Sequence, residues 1–286
     1  MITIFQAVIL GLLQGFTELF PISSLGHSVI LPKLLGWNIH QNDSFFLVFL
    51  VATHLATATV LFFFFWKDWT LILKGMWRSF KARQIDTKDT YAKIGWLLVV
   101  GTIPVGIIGL LFEQSLRQFF ASAQSAAAFL ILNGIILYFA EWLRTNKHRS
   151  QATIQSDKNI AQRTWYQAIL VGLAQAAALF PGISRSGSSM AGGLLVGLNN
   201  EAAARFSFLL ATPIIGAAAL LKLPEIFSPS YNSLRGTMLI GALCSAAAAY
   251  FSLRFLVKYF QTNTLKPFAI YCLIAGILLS GYFILK

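Results

Sequence analysis

Apolar residues along this chain come in long blocks broken at a few polar or proline-containing points. Residues 4–20 form a first block that stops at Phe20-Pro21, and a second short piece covers about 24–36, ending near Gly36. Neither reaches the ~20 residues a helix needs to cross a bilayer. Together they predict a re-entrant hairpin, which enters and leaves on one side. Residues 44–66 predict a full span. Residues 67–93 mix bases with tryptophans, and WKDWTLILKGMWRSFKAR suits either a helix in the headgroup plane or a solvated loop. Spans follow at about 94–112 and 124–143, joined by a short turn that holds Glu113 and Arg117.

After a polar, Ser/Gln/Lys-rich stretch at about 144–163 the pattern recurs. Residues 164–180 are short and apolar and break at Phe180-Pro181. A second short, Gly-rich piece covers 187–198, and full spans are predicted at about 201–222, 236–256 and 266–285. The two breaks align: GLLQGFTELFPISSLG at 11–26 lies against GLAQAAALFPGISRSG at 172–187. With Glu18 skipped in one and Gly182 in the other, Gly11, Gln14, Leu19, Phe20, Pro21, Ile22, Ser23 and Gly26 meet identical residues. Such density marks an internal repeat.

The expected fold is therefore an all-α polytopic membrane protein with two inverted repeats. Each repeat is a re-entrant helical hairpin plus three transmembrane helices. All of 1–286 forms a single integral membrane domain: repeat one about 1–143, a cytoplasmic linker about 144–163, and repeat two about 164–286. Small residues beside the breaks, including Gly193 and Gly197 and the Ala246–Ala249 run, permit close helix packing.

Composition supports the membrane reading: 57% of residues are hydrophobic and only 11% charged, with mean hydropathy +0.69, against ~25% charged in soluble domains. The net charge of +12 would suit nucleic acid, but no nucleic-acid motif accompanies it. Its bases instead gather between apolar blocks: seven in 67–93, five in 144–163, then Arg205, Arg254, Lys258 and Lys266. Placing these in the cytoplasm puts both termini outside, and the hairpins then dip in from opposite sides. MITIFQAVIL lacks the basic start of a cleaved signal peptide and is read as part of the mature protein. Cys244 and Cys272 lie inside apolar blocks and read as packing residues.

The candidate chemistry sits in the breaks. Gln14 and Glu18 are four apart and share a helix face just before Pro21. Glu18 reads as a metal ligand or a general acid/base partner, against a carboxylate merely snorkelling to a helix end. Ser23 and Ser24 open the next helix, where they serve as caps and where free amides bind anions. His27 falls within reach of either hydroxyl, as a base beside a nucleophile does. In the second break Ser184, Arg185, Ser186 and Gly187 open a helix after a Pro181-Gly182 turn. Arg185 supplies a fork for phosphate oxygens. Two helix starts and one arginine, meeting at the midplane, would suit an anionic head group on an apolar tail. His54, inside a span, reads first as a satisfied buried histidine and second as a residue lining the same cavity.

The first break resembles the E/Q-xxx-E and PxSSxGH signatures of the undecaprenyl-diphosphate phosphatase (bacitracin resistance protein) family. FPGISRSG at 180–187 and RFSFLLATP at 205–213 resemble its later motifs, so the likeness covers essentially the whole chain. The resemblance implies an inner-membrane enzyme that removes the terminal phosphate of undecaprenyl diphosphate. That step recycles the carrier lipid for peptidoglycan and other wall polymers and confers bacitracin resistance. It implies a divalent cation, Mg2+ or Ca2+, at Glu18 and Gln14. It also implies catalytic roles for Glu18, for Ser24 as nucleophile, for His27 as base or rival nucleophile, and for Arg185 as phosphate clamp. Substrate contacts are expected from Ser23, Gly26, Ser184, Ser186 and Gly187. The expected partners are the lipid substrate and membrane lipids, with a homodimer as a candidate assembly and no nucleic acid. Two positions depart from the pattern: Gln14 is the amide variant, and Leu25 stands where a hydroxyl is frequent. A polyprenyl-phosphate flippase built on the same inverted repeat is the alternative. The other lipid phosphatase superfamily would need a histidine where Ala191 stands.

Overall fold

The computed structural model describes residues 2–39, 43–117, 122–147 and 155–285, with only the backbone for 113–117, 147 and 223. These residues form helices and their connections, with no strand among them. The first hairpin is α1 (Ile4–Leu19) and α2 (Ser24–Leu34); α3 (Ser44–Phe64) follows as a span. Then come α4 (Trp66–Ala82), α5 (Thr90–Arg117) and α6 (Ala123–Lys147). A short α7 (Ser156–Ala161) leads to the second hairpin, α8 (Trp165–Ala176) and α9 (Arg185–Leu195). The chain closes with α10 (Asn200–Ile226), α11 (Arg235–Tyr259) and α12 (Lys266–Leu285).

Six helices, α3, α5, α6, α10, α11 and α12, are long and apolar enough to cross a bilayer. No more than half of any of their apolar windows is buried. Leu111, Leu221, Phe251 and Leu278 point outward, as suits helices solvated by lipid, whose backbone groups are satisfied within each helix. The two short helices stay short for local reasons. Thr3 and Gln6 close a capping box at the start of α1, and Thr164 and Gln167 close the same box at the start of α8. Phe20 then turns extended ahead of Pro21, as the residue before a proline must. Sixteen residues in α1 give about 24 Å, short of a ~30 Å hydrocarbon core.

Of the two readings of 67–93 the helical one holds over much of the stretch: α4 buries Ile72, Gly75 and Ser79 and leaves Leu73, Trp77 and Phe80 exposed. Two details differ from the expected elements. The linker carries α7, while its residues 148–154 lie outside the described residues. The turn expected at Glu113 and Arg117 falls on the helical backbone of α5, which continues to Arg117; their side chains lie outside the described residues, as does Lys286.

Helix pairing repeats between the halves. α1 lies against α11, and α8 lies against α5. A Cβ on Gly11 would come 2.3 Å from the Gly241 carbonyl oxygen, and one on Gly172 would come 2.2 Å from that of Gly101. Only glycine lets those backbones approach so closely.

The two hairpin tips meet inside this shell. Gly182 takes φ +105°, and a Cβ there would lie 2.3 Å from the Ala126 carbonyl oxygen. A Cβ on Gly26 would lie 3.0 Å from the Gly182 Cα. Asn133, fully buried on α6, stitches the tips together. Its Nδ2 donates to the Pro21 carbonyl at 2.9 Å, and its Oδ1 accepts from the Ser184 amide at 3.0 Å. The Ser186 hydroxyl adds a bond to the Phe20 carbonyl at 3.0 Å. Backbone groups at the two breaks are thereby satisfied by protein.

Candidate active site

Glu18 is the meeting point. It projects from the last turn of α1, is 6% exposed, and gathers donors from three other places in the chain. Its Oε2 accepts from the Ser24 hydroxyl at 2.5 Å and from Gln14 Nε2 at 2.9 Å. His54 Nε2, from α3, stands 3.4 Å from the same oxygen. Its Oε1 accepts from Arg185 Nη2 at 3.3 Å, across 167 residues of sequence. Buried charges persist when paired and hydrogen-bonded, and Glu18 is both.

Ser24 and Arg185 each sit at the first position of a helix, α2 and α9. Ser23 and Ser184 cap those helices by accepting from Gly26 N–H at 3.2 Å and Gly187 N–H at 3.1 Å. Ser23 does so at φ 71°, in the left-handed region that non-glycine residues occupy at a cost when a site demands it. The positive ends of two helix dipoles thus converge on one point.

A cavity of about 820 Å³ opens over this point, with Glu18, Ser23, Ser24, His54, Gln175, Ser184 and Arg185 in its wall. The remaining lining is mainly apolar, including Leu50, Val105, Ile214 and Ala218. Ser44 at the start of α3 and Lys222 and Glu225 near the end of α10 lie at its other end. At the opposite end of α10, Arg205 bonds Asp68 and Asp157, each at 2.6 Å, and ties α4 and α7 to α10.

Of the expected site residues, Glu18, Ser23, Ser24, Ser184 and Arg185 line the cavity, whereas Gln14, Gly26, His27, Ser186 and Gly187 are not part of its lining. His27 was expected to reach a serine hydroxyl. Its Nδ1 instead donates to the Ser23 carbonyl at 2.6 Å, and its Nε2 faces the Tyr271 hydroxyl at 2.8 Å. The helical turn between residues 23 and 27 aims the ring at backbone, so neither nitrogen is bonded to Ser24. His54, expected as a buried histidine or as a residue lining the same cavity, does line it: Nδ1 donates to the Leu50 carbonyl at 2.7 Å and Nε2 faces Glu18. Asn133 and Tyr271 escaped sequence reasoning. Asn133 had one visible signal, an amide isolated in the apolar run LILNGIIL.

For a divalent cation the chain offers Glu18 and the buried Gln14 Oε1, which has no hydrogen-bond partner. Among the described residues no group of three or more His, Cys, Asp or Glu side chains comes together to hold a metal. One carboxylate and one amide oxygen fit a cation that also takes phosphate oxygens from its substrate, which is how Mg2+ is usually held.

Sequence comparison shows the family. The family described as "Bacitracin resistance protein BacA" matches residues 7–278. The undecaprenyl-diphosphatase of Mycolicibacterium paratuberculosis is 47% identical, over 95% of this chain and 94% of that protein. Undecaprenyl-diphosphatase of Granulibacter bethesdensis is 43% identical, over 95% of this chain and 94% of that one. Undecaprenyl-diphosphatase 2 of Frankia alni is 40% identical, over 99% of this chain and 98% of its own. With this match along nearly its full length, a multi-pass helical chain whose two broken hairpins close on Glu18 and Arg185 belongs to the bacitracin resistance protein BacA family.

Proposed function

We propose that this chain hydrolyses the terminal phosphate of undecaprenyl diphosphate, with Ser24 as the attacking group and Glu18 as acceptor of its proton. The observation that carries the reading is the 2.5 Å bond from Ser24 Oγ to Glu18 Oε2, with Arg185 on the other carboxylate oxygen. In the first step Ser24 Oγ bonds to the distal phosphorus and its proton passes to Glu18. The bridging P–O bond breaks, and undecaprenyl phosphate leaves. Water then attacks the phosphoserine; its two protons leave with inorganic phosphate, and the freed Ser24 oxygen takes back the proton held by Glu18. Arg185 and the amides at the starts of α2 and α9 hold the charge on the transferring group. His54, facing Glu18, orients the carboxylate. A divalent cation held by Glu18 and Gln14 Oε1 would neutralise part of the diphosphate charge. Apolar lining beyond the site suits the prenyl chain. The test is phosphate release from the C55 diphosphate in detergent. Release is expected with the wild-type protein and is expected to fall at least tenfold on chelation; no release by wild type would refute the hydrolase.

The same reading puts the chain in the bacterial inner membrane, with both termini and the cavity mouth on the outer side. Its support is the bias of Lys and Arg toward 67–93 and 144–163. Support for inverted repeats comes from the matching caps at Thr3 and Thr164 and the matching contacts of Gly11 and Gly172. A carrier role for the product is the second reading. It is favoured by a cavity open near Ser44 and Lys222 while Arg205, Asp68 and Asp157 close the other end of α10. Sealed proteoliposomes with substrate in one leaflet separate the two. Phosphate is expected only on the side that the mouth faces. Protein-dependent arrival of undecaprenyl phosphate in the far leaflet would establish transport as well, and equal release on both sides of uniformly oriented protein would contradict the assigned orientation.

A further inference from the structure

Gln175 lies in the cavity wall on α8, is fully buried, and has no hydrogen-bond partner for either its Oε1 or its Nε2. Buried amides without partners are rare enough that each needs a reason. The repeat supplies a comparison. Gln14 holds the matching place in the first hairpin, and its Nε2 donates to Glu18 one turn further along the helix. In the second hairpin the position of Glu18 is skipped, and Ala176, Ala177, Ala178 and Leu179 follow Gln175. The amide therefore has no carboxylate to bond. Arg185 is in a similar condition: Nη2 reaches Glu18, while the buried Nε and Nη1 have no partner. The second hairpin thus presents donors without an acid, and the acid they fit is one that a ligand carries in.

Two phosphates must be held if the proposed hydrolysis is right, and this inference rests on that reading. Ser24 and Glu18, on the first hairpin, take the distal phosphorus. Its neighbour, esterified to the prenyl chain, then falls toward the second hairpin. There the wall passes from Arg185 and Gln175 to apolar Ala178, Leu179 and Ile214. We propose that Gln175 Nε2 binds an oxygen of the phosphate that remains on the lipid, so that Gln175 sets affinity for substrate and product alike. A neutral amide suits this place, because the product must still leave with its phosphate.

The experiment measures KM for undecaprenyl diphosphate and the inhibition constant of undecaprenyl phosphate, in detergent, for Gln175→Leu and Gln175→Glu. The glutamate is isosteric but repels phosphate. Both constants are expected to rise at least tenfold in both variants, while kcat falls less than in Arg185→Ala. Constants within twofold of wild type in both variants would overturn the assignment and leave the amide to an ordered water. Tighter binding by Gln175→Glu would overturn it differently, marking the side chain as a cation ligand. Gln175→Asn, which keeps the amide but withdraws it by one methylene, supplies the same readout should either variant fail to fold. Wild-type phosphate release in the same assay keeps the two claims apart: without it the hydrolase itself fails, and with it only the role of Gln175 is at stake.

Discussion

Ser24→Ala is expected to lower kcat for phosphate release by at least ~10³-fold, because it removes the oxygen that forms the covalent intermediate. Binding of the lipid diphosphate should change by only a fewfold, since Arg185 and the two helix starts remain. The Ser24 hydroxyl is half-buried and donates to Glu18 at 2.5 Å, so its loss leaves a carboxylate oxygen still bonded to Gln14. The fold should therefore survive. Rapid quenching with labelled substrate should trap a phosphoserine in wild type and none in the variant. Full turnover by Ser24→Ala, or a label mapped to His27 or His54, would remove serine from the mechanism.

Glu18→Gln should be nearly as damaging, for two separable reasons. The amide cannot take the Ser24 proton, and general-base contributions amount to ~10²–10⁴-fold. It also leaves the buried Arg185 guanidinium without its anion, and breaking one side of a buried pair costs about 3–5 kcal/mol. Loss of kcat should thus be accompanied by lower thermal stability in detergent, part of which returns when phosphate or product fills the cavity. His27→Asn is the companion variant. It keeps a donor facing the Ser23 carbonyl, so a loss of only about tenfold is expected, well below the general-base range. If His27→Asn instead matched Glu18→Gln in rate while keeping its stability, the base would be the imidazole.

The two histidines show where sequence reasoning reached its limit. Spacing placed His27 near Ser23 and Ser24, and it is near them, but four residues along a helix also bring its ring onto the Ser23 carbonyl. A backbone acceptor is available at that spacing in any helix, and local sequence carries no sign of which partner the ring will take. His54 reads from the sequence as a buried histidine or as a residue lining the same cavity, with no sign of which group it meets there. It became a partner of Glu18 because α3 packs beside α1, a fact of helix arrangement. Asn133 is the same case in stronger form, since its two bonds join residues 112 and 51 positions away.

What could be read from the amino acids alone was the set of six membrane-length helices and where the two short hairpins break. A helix in hydrocarbon must satisfy its own backbone, so apolar block length, proline and capping residues settle these features locally. That the polar residues in the two breaks form a candidate site was also legible, because isolated charges in lipid are costly. Tertiary packing alone decided which of those side chains meet. The bond between Glu18 and Arg185, the stitch at Asn133 and the aim of each histidine depend on how rigid helices lean on one another. Shifts of an ångström or two in that packing, which leave every local pattern unchanged, would bring different atoms within hydrogen-bond reach.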